Sequence, residues 1–129
     1  MNDKIISLED SRASSEDKLV LCHGHFNIIH PGHIRYLDFA RTQGGKLLVT
    51  VEGDQVFEGP DRKEHFSEVE RASGVASLES VDQVILLGDK RLEDAVKNIE
   101  PDFLVLGKEF EYEHYNQIQK AAKHLELQG

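Results

Sequence analysis

In Leu19-Val20-Leu21-Cys22-His23-Gly24-His25-Phe26-Asn27-Ile28-Ile29-His30-Pro31-Gly32-His33 an apolar run gives way to a loop dense in histidine and glycine, and then to a helix start. Leu19 to Cys22 are apolar without a break. That suits a strand covered on both faces in a parallel sheet, since a strand wetted on one face would alternate. Pro31 fits the first position of a helix, where its missing N–H has no partner to lose. Ile34, Leu37 and Ala40 then continue an apolar stripe as far as Gly44-Gly45. Strand, loop and helix in that order open a βαβ crossover.

Working outward, the alternation repeats. Leu47 to Val51, Val84 to Leu87 and Phe103 to Leu106 are further apolar runs, so parallel strands are expected near 19–23, 47–51, 84–87 and 103–107. Ser67-Glu68-Val69-Glu70 has the spacing of a capping box and opens a helix to about Leu78. Leu92, Ala95, Val96 and Ile99 mark a third helix, with Asp89 as a candidate cap and Pro101 beyond it; Ile118, Ala121, Ala122 and Leu125 mark a fourth. The pattern implies an α/β fold, a Rossmann-like doubly wound parallel sheet in one domain spanning 18–129. The run at 19–23 belongs at its centre, and ligands belong at the carboxyl ends of the strands. Residues 1–17 read as a loose polar leader in which Ile5, Ile6 and Leu8 could dock. A further, final strand would be expected to begin where the sequence stops at Gly129.

Composition narrows the function. With 129 residues, 39% hydrophobic and 30% charged, the chain has the balance of one soluble domain. No apolar run approaches the ~20 residues of a membrane helix, and no signal-peptide core follows Met1, so a cytoplasmic protein is expected. A single cysteine, Cys22, excludes a disulfide framework and a four-thiolate zinc site. Fifteen Lys and Arg against 24 Asp and Glu leave a net charge of −9, which repels polynucleotides. With no Trp and three Tyr, there is little to stack single-stranded bases on. A small anion is still admissible in a locally positive pocket, with a divalent metal.

The histidine loop offers such a pocket. His30 and His33, three apart across Pro31-Gly32, share one side of a helix start. Two imidazoles beside the backbone N–H groups of that helix end can grip phosphate oxygens. Gly24 and Gly32 would let a triphosphate approach the backbone. Zinc is the competing reading, since Cys22, His23, His25, His30 and His33 are all possible ligands. Against it, Cys22 and His23 are strand neighbours that point to opposite faces, and the spacing matches no ordinary zinc finger.

Gly24-x-Phe26-Asn27-x-x-His30-x-Gly32-His33 resembles the signature of the HxGH nucleotidyltransferase superfamily, the cytidylyltransferase-like proteins, over about Lys18 to Asn116. Within it the likeness is to glycerol-3-phosphate cytidylyltransferases and the nucleotidyltransferase domains of ADP-heptose synthases. The resemblance implies transfer of a nucleotidyl group from CTP or ATP to a phosphorylated small molecule, with release of pyrophosphate and with Mg²⁺ on the triphosphate. It implies that His30 and His33 contact the phosphates and stabilise the transition state. Asn27 stands where an acidic residue is usual, and His25 where Thr or Ser is common.

Two more loops carry the resemblance. The segment from Glu52 to His65 holds Asp54 and Gly59-Pro60-Asp61-Arg62-Lys63. Relatives keep cations there for the β- and γ-phosphates, often with Lys before Gly-Pro. Glu58 takes that place here, which leaves Arg62 and Lys63, the latter as a catalytic candidate. Glu70-Arg71 resembles the family's Glu-Arg element, and Gly107-Lys108-Glu109-Phe110 its segment beside base and ribose. The family's last motif, an Arg-x-x-x-Ile-Ser-Thr-Thr-like segment, is absent. A homodimer or a longer fused chain is expected to cover the region that it would occupy. A nucleotide-binding module without turnover and a histidine-rich metal binder stand as alternatives.

Overall fold

The computed structural model describes residues 3–10, 18–27, 29–54 and 66–106. In chain order these form β1 (Ile5–Ser7), β2 (Leu19–Gly24), α1 (Pro31–Arg41), β3 (Lys46–Val51), α2 (Glu68–Ala76), β4 (Gln83–Leu86), α3 (Leu92–Ile99) and β5 (Phe103–Leu104). The strands make one parallel sheet in the order β1-β4-β3-β2-β5.

Both faces of the sheet are covered, which is why the strand runs are apolar without alternation. Val20, Cys22, Leu47, Val49, Val51 and Val84 pack with Leu37 and Ala40 of α1 and Ala72, Val75 and Ala76 of α2. On the other face Leu19, Leu21, Leu48 and Ile85 pack with Leu92, Ala95, Val96 and Ile99 of α3. The chain steps from β2 to β3 to β4, then returns past β2 to β5. The reversal of strand order therefore falls between β2 and β5, and the loop after β2 lies at this switch point. Tyr36 of α1 straddles it: its hydroxyl accepts from the His23 N–H and donates to the Val105 carbonyl.

Three expectations need correcting. Residues 5–7 are not loose leader. They pair in register with β4, Ile5 against Val84 and Ser7 against Leu86, and Ile5 and Leu8 are buried. Among the described residues, a strand beyond the four expected thus comes from the N-terminal side, at the far edge of the sheet. The third helix is not capped by Asp89; its N-cap is Arg91, whose backbone N–H donates to Asp94. The run at 103–107 forms only a two-residue strand, although Val105 still donates to Leu21. The expected capping box of α2 is present, with Ser67 Oγ accepting from the Glu70 N–H and Glu70 Oε1 accepting from the Ser67 N–H. The helix expected around Ile118 to Leu125 lies outside the described residues.

Candidate functional site

At the head of α1 the two histidines close the helix on themselves. His30 is the N-cap, with extended backbone, and its Nδ1 accepts from the Gly32 N–H at 3.0 Å. His33 reaches back, and its Nδ1 accepts from the His30 N–H at 3.2 Å. The rings stack with centroids 3.9 Å apart. Because each Nδ1 is an acceptor, each neutral ring carries its proton on Nε2. The expectation of imidazoles beside open N–H groups changes accordingly. The rings take up two of the donors of the helix end.

The glycines have a different reason from the one expected. A Cβ on Gly24 would sit 2.7 Å from the Phe26 ring, and one on Gly32 2.7 Å from the His30 ring. The space over both is filled by the chain's own rings. Phe26 is buried, lies 5.4 Å from the His33 ring and has a left-handed φ of 52°. That conformation costs a non-glycine residue roughly 1–2 kcal/mol, so the surroundings must hold it.

Arg71 supplies one hold. Its side chain is fully buried, and it donates to the Phe66 carbonyl (2.9 Å), the His25 carbonyl (2.9 Å) and Asp54 Oδ1 (3.1 Å). Expected among the nucleotide-binding residues, it ties together the loop after β2, the segment after β3 and the start of α2. Asn27 makes a parallel tie, its Oδ1 accepting from the Phe66 N–H at 2.7 Å. With its oxygen spent on backbone, Asn27 also acts as a bridge.

The sequence reading missed a second polar group. His23, Thr50 and Glu52 are buried at the carboxyl ends of β2 and β3. Thr50 Oγ1 lies 3.1 Å from the Cys22 carbonyl and 2.9 Å from His23 Nδ1. The other nitrogen of the ring, Nε2, donates to Glu52 Oε1 at 2.8 Å. The other carboxylate oxygen lies 2.6 Å from Nε2 of His25, an ion-pair contact rather than an aligned hydrogen bond. Burial pushes the Glu52 carboxyl up. Hydrogen bonds and charge from His23 and His25 outweigh it and hold the group well below the usual carboxylate range. One signal was present in the sequence: Thr50 and Glu52 interrupt an apolar strand at a spacing of two, on one face.

The Cytidylyltransferase-like family profile matches residues 21–129. The chain belongs to that family. Bifunctional protein HldE of Alcanivorax borkumensis is 40% identical over 110 residues, and that of Ectopseudomonas mendocina 37%. The matched region is 82% of this chain but 22% and 23% of those proteins, so the chain spans under a quarter of their length. The lipopolysaccharide core biosynthesis protein from Thermoplasma volcanium superposes with a TM-score of 0.68 at 28% identity, covering 84% of this chain and 88% of that one.

Within this cytidylyltransferase-like domain the described candidates converge on one sheet edge. Gly24 ends β2, His25, Phe26, Asn27 and His30 lie in the loop after it, and Gly32 and His33 in the first turn of α1. Asp54 comes from the end of β3, half-exposed with one oxygen on Arg71. Arg62, Lys63, Gly107, Lys108 and Glu109 lie outside the described residues. Cys22 faces α1 and α2 in the core while His23 joins Thr50 and Glu52, so the two cannot share a zinc ion as the competing reading required. Among the described residues no three His, Cys, Asp or Glu side chains are grouped to hold a metal, and no helix is long and apolar enough to cross a membrane.

Proposed function

We propose that this domain transfers a nucleotidyl group from CTP or ATP to a phosphorylated sugar or polyol, releasing pyrophosphate. The observation that carries the proposal is the stacked His30–His33 pair at the head of α1, both Nδ1 atoms accepting from backbone and the proton of each neutral ring therefore on Nε2, at the switch point of the sheet. Two fixed donors at a helix N-terminus are suited to phosphoryl oxygens, whose charge grows in the transition state. A neighbour named for lipopolysaccharide core biosynthesis favours a sugar phosphate as acceptor.

The acceptor's phosphate oxygen attacks the α-phosphorus in line and pyrophosphate departs. A phosphate is already nucleophilic at neutral pH, so the protein need only position the reactants and neutralise charge. Lys63, with Arg62 and Lys108, is assigned to the triphosphate; Gly107 and Glu109 are assigned to the base and ribose. Mg²⁺ enters as part of the triphosphate substrate. Asp54 is the carboxylate that fits it, because Glu52 is held by two histidines. The reaction is cytoplasmic, and the domain works as a homodimer or within a longer polypeptide.

A thermal-shift screen of nucleoside triphosphates with Mg²⁺ tests the binding half. Ligand at 100 Kd should add about 2.7 kcal/mol of stability. Pyrophosphate release with a panel of sugar 1-phosphates and glycerol 3-phosphate tests the chemistry. Binding without release would leave a nucleotide-binding module. Absence of binding by any triphosphate would overturn the proposal.

A further inference from the structure

The polar cluster of His23, Thr50 and Glu52 is not used by the phosphate chemistry above, yet it sits against the same loop. A buried ion pair is a poor device for stability alone, because apolar side chains of similar volume usually do as well. This one occurs where β2 and β3 deliver the chain to the ligand edge. Glu52 presents two oxygens to two Nε2 atoms, His23 at 2.8 Å and His25 at 2.6 Å. The contact sets the direction of the His25 ring.

His25 is thereby held at both ends, its side chain by Glu52 and its carbonyl by Arg71 at 2.9 Å. The next residue is Phe26, with φ at 52°, whose ring closes over Gly24 and meets the ring of His33. A left-handed phenylalanine persists only where its neighbours over-determine it. The contacts run unbroken from Glu52 to His25, to the turn at Phe26, and to His33.

We propose that Glu52 is a positioning residue of the nucleotide site: by clamping His25 it fixes the turn at Phe26, against which His33 is set for phosphate. This rests on the nucleotide reading above. His23, with Nδ1 on Thr50 and Nε2 on Glu52, fixes the carboxylate from its other side, so both of its oxygens are held.

The test is calorimetric titration of the whole chain with MgATP and with MgCTP, below each variant's melting transition. His25→Ala leaves the His23–Glu52 pair intact and removes a side chain that is 31% exposed, so it keeps the fold. It should weaken binding about tenfold, the scale of one lost charge-assisted contact. Glu52→Ala should weaken binding to the same extent, and the double variant no further, because both act through one contact. Glu52→Gln should recover most of the loss. Its carbonyl can accept from one histidine and its amide can donate to the ring nitrogen of the other. Ring ¹⁵N resonances of His33 should move in His25→Ala while the helical circular dichroism does not. If folded His25→Ala binds like the wild type while His33→Ala does not, the positioning role is wrong and the nucleotide reading stands. If the wild type binds neither nucleotide, or His33→Ala binds normally, the nucleotide reading fails and takes this inference with it.

Discussion

His33 has two duties that one substitution can separate. Its Nδ1 caps the His30 N–H, and under the proposed function its Nε2 serves phosphate. His33→Ala should therefore lower nucleotidyl transfer by about 10²–10³, the scale for one preorganised oxyanion donor. It should also lower stability by about 1 kcal/mol, the scale for a lost helix cap. Steady-state kinetics and urea unfolding on the same preparation check the pair. A variant with full activity and unchanged stability would contradict both duties. At this scale the sequence was informative about which histidines matter and uninformative about why. Spacing alone put His30 and His33 side by side. That their rings would turn Nδ1 back to the helix depended on the N-cap backbone of His30 and on the room left over Gly32.

At the scale of elements, α2 starts where its capping box predicts, because the bonds that make it span only Ser67 to Glu70. Ser67→Ala should cost about 1 kcal/mol in urea unfolding. Its helix also carries Arg71 into the core, so the local cap and the distant tie share one element. The strands were recognisable from their apolar runs except at the edges. β1 has three residues and β5 two, too few for a pattern to stand out from its surroundings. They are held by pairing to β4 and β2, interactions invisible to any local window.

Over the whole molecule, stability and pH should be linked through Glu52. Its folded carboxyl titrates below the unfolded one, whose ordinary value is 4.5. The stability it contributes is complete above that value and is lost as the pH falls toward the folded value. The stability gap between wild type and Glu52→Gln, from urea unfolding across acid pH, should narrow below about pH 4.5. A gap independent of pH would rule the linkage out. Cys22 offers a probe of global opening. Burial pushes its thiol up to about 12, with a smaller lowering effect from the hydrogen bond with Tyr36, and no part of it is exposed. A thiol reagent at about pH 8 should label it only through unfolding, and labelling should accelerate with urea. Rapid labelling in native buffer would show that the β2 core opens locally.

Short-range physics settled what the sequence determined by itself. Apolar runs, helical stripes, the Pro31 start and the Ser67 box each act within a few residues, and together they specify the α/β class, the parallel sheet and the edge where ligands gather. The His30-x-Gly32-His33 spacing belongs with these, since one helical turn places both rings. Tertiary structure alone decided the rest. Pairing β2 to β3 in the register that sets His23 opposite Thr50 brings a histidine and a carboxylate 29 positions apart into contact. Packing α2 on the sheet buries the Arg71 guanidinium between three segments. Whether a charged side chain is solvated or locked depends on what covers it from every side, and that is a property of the assembled fold.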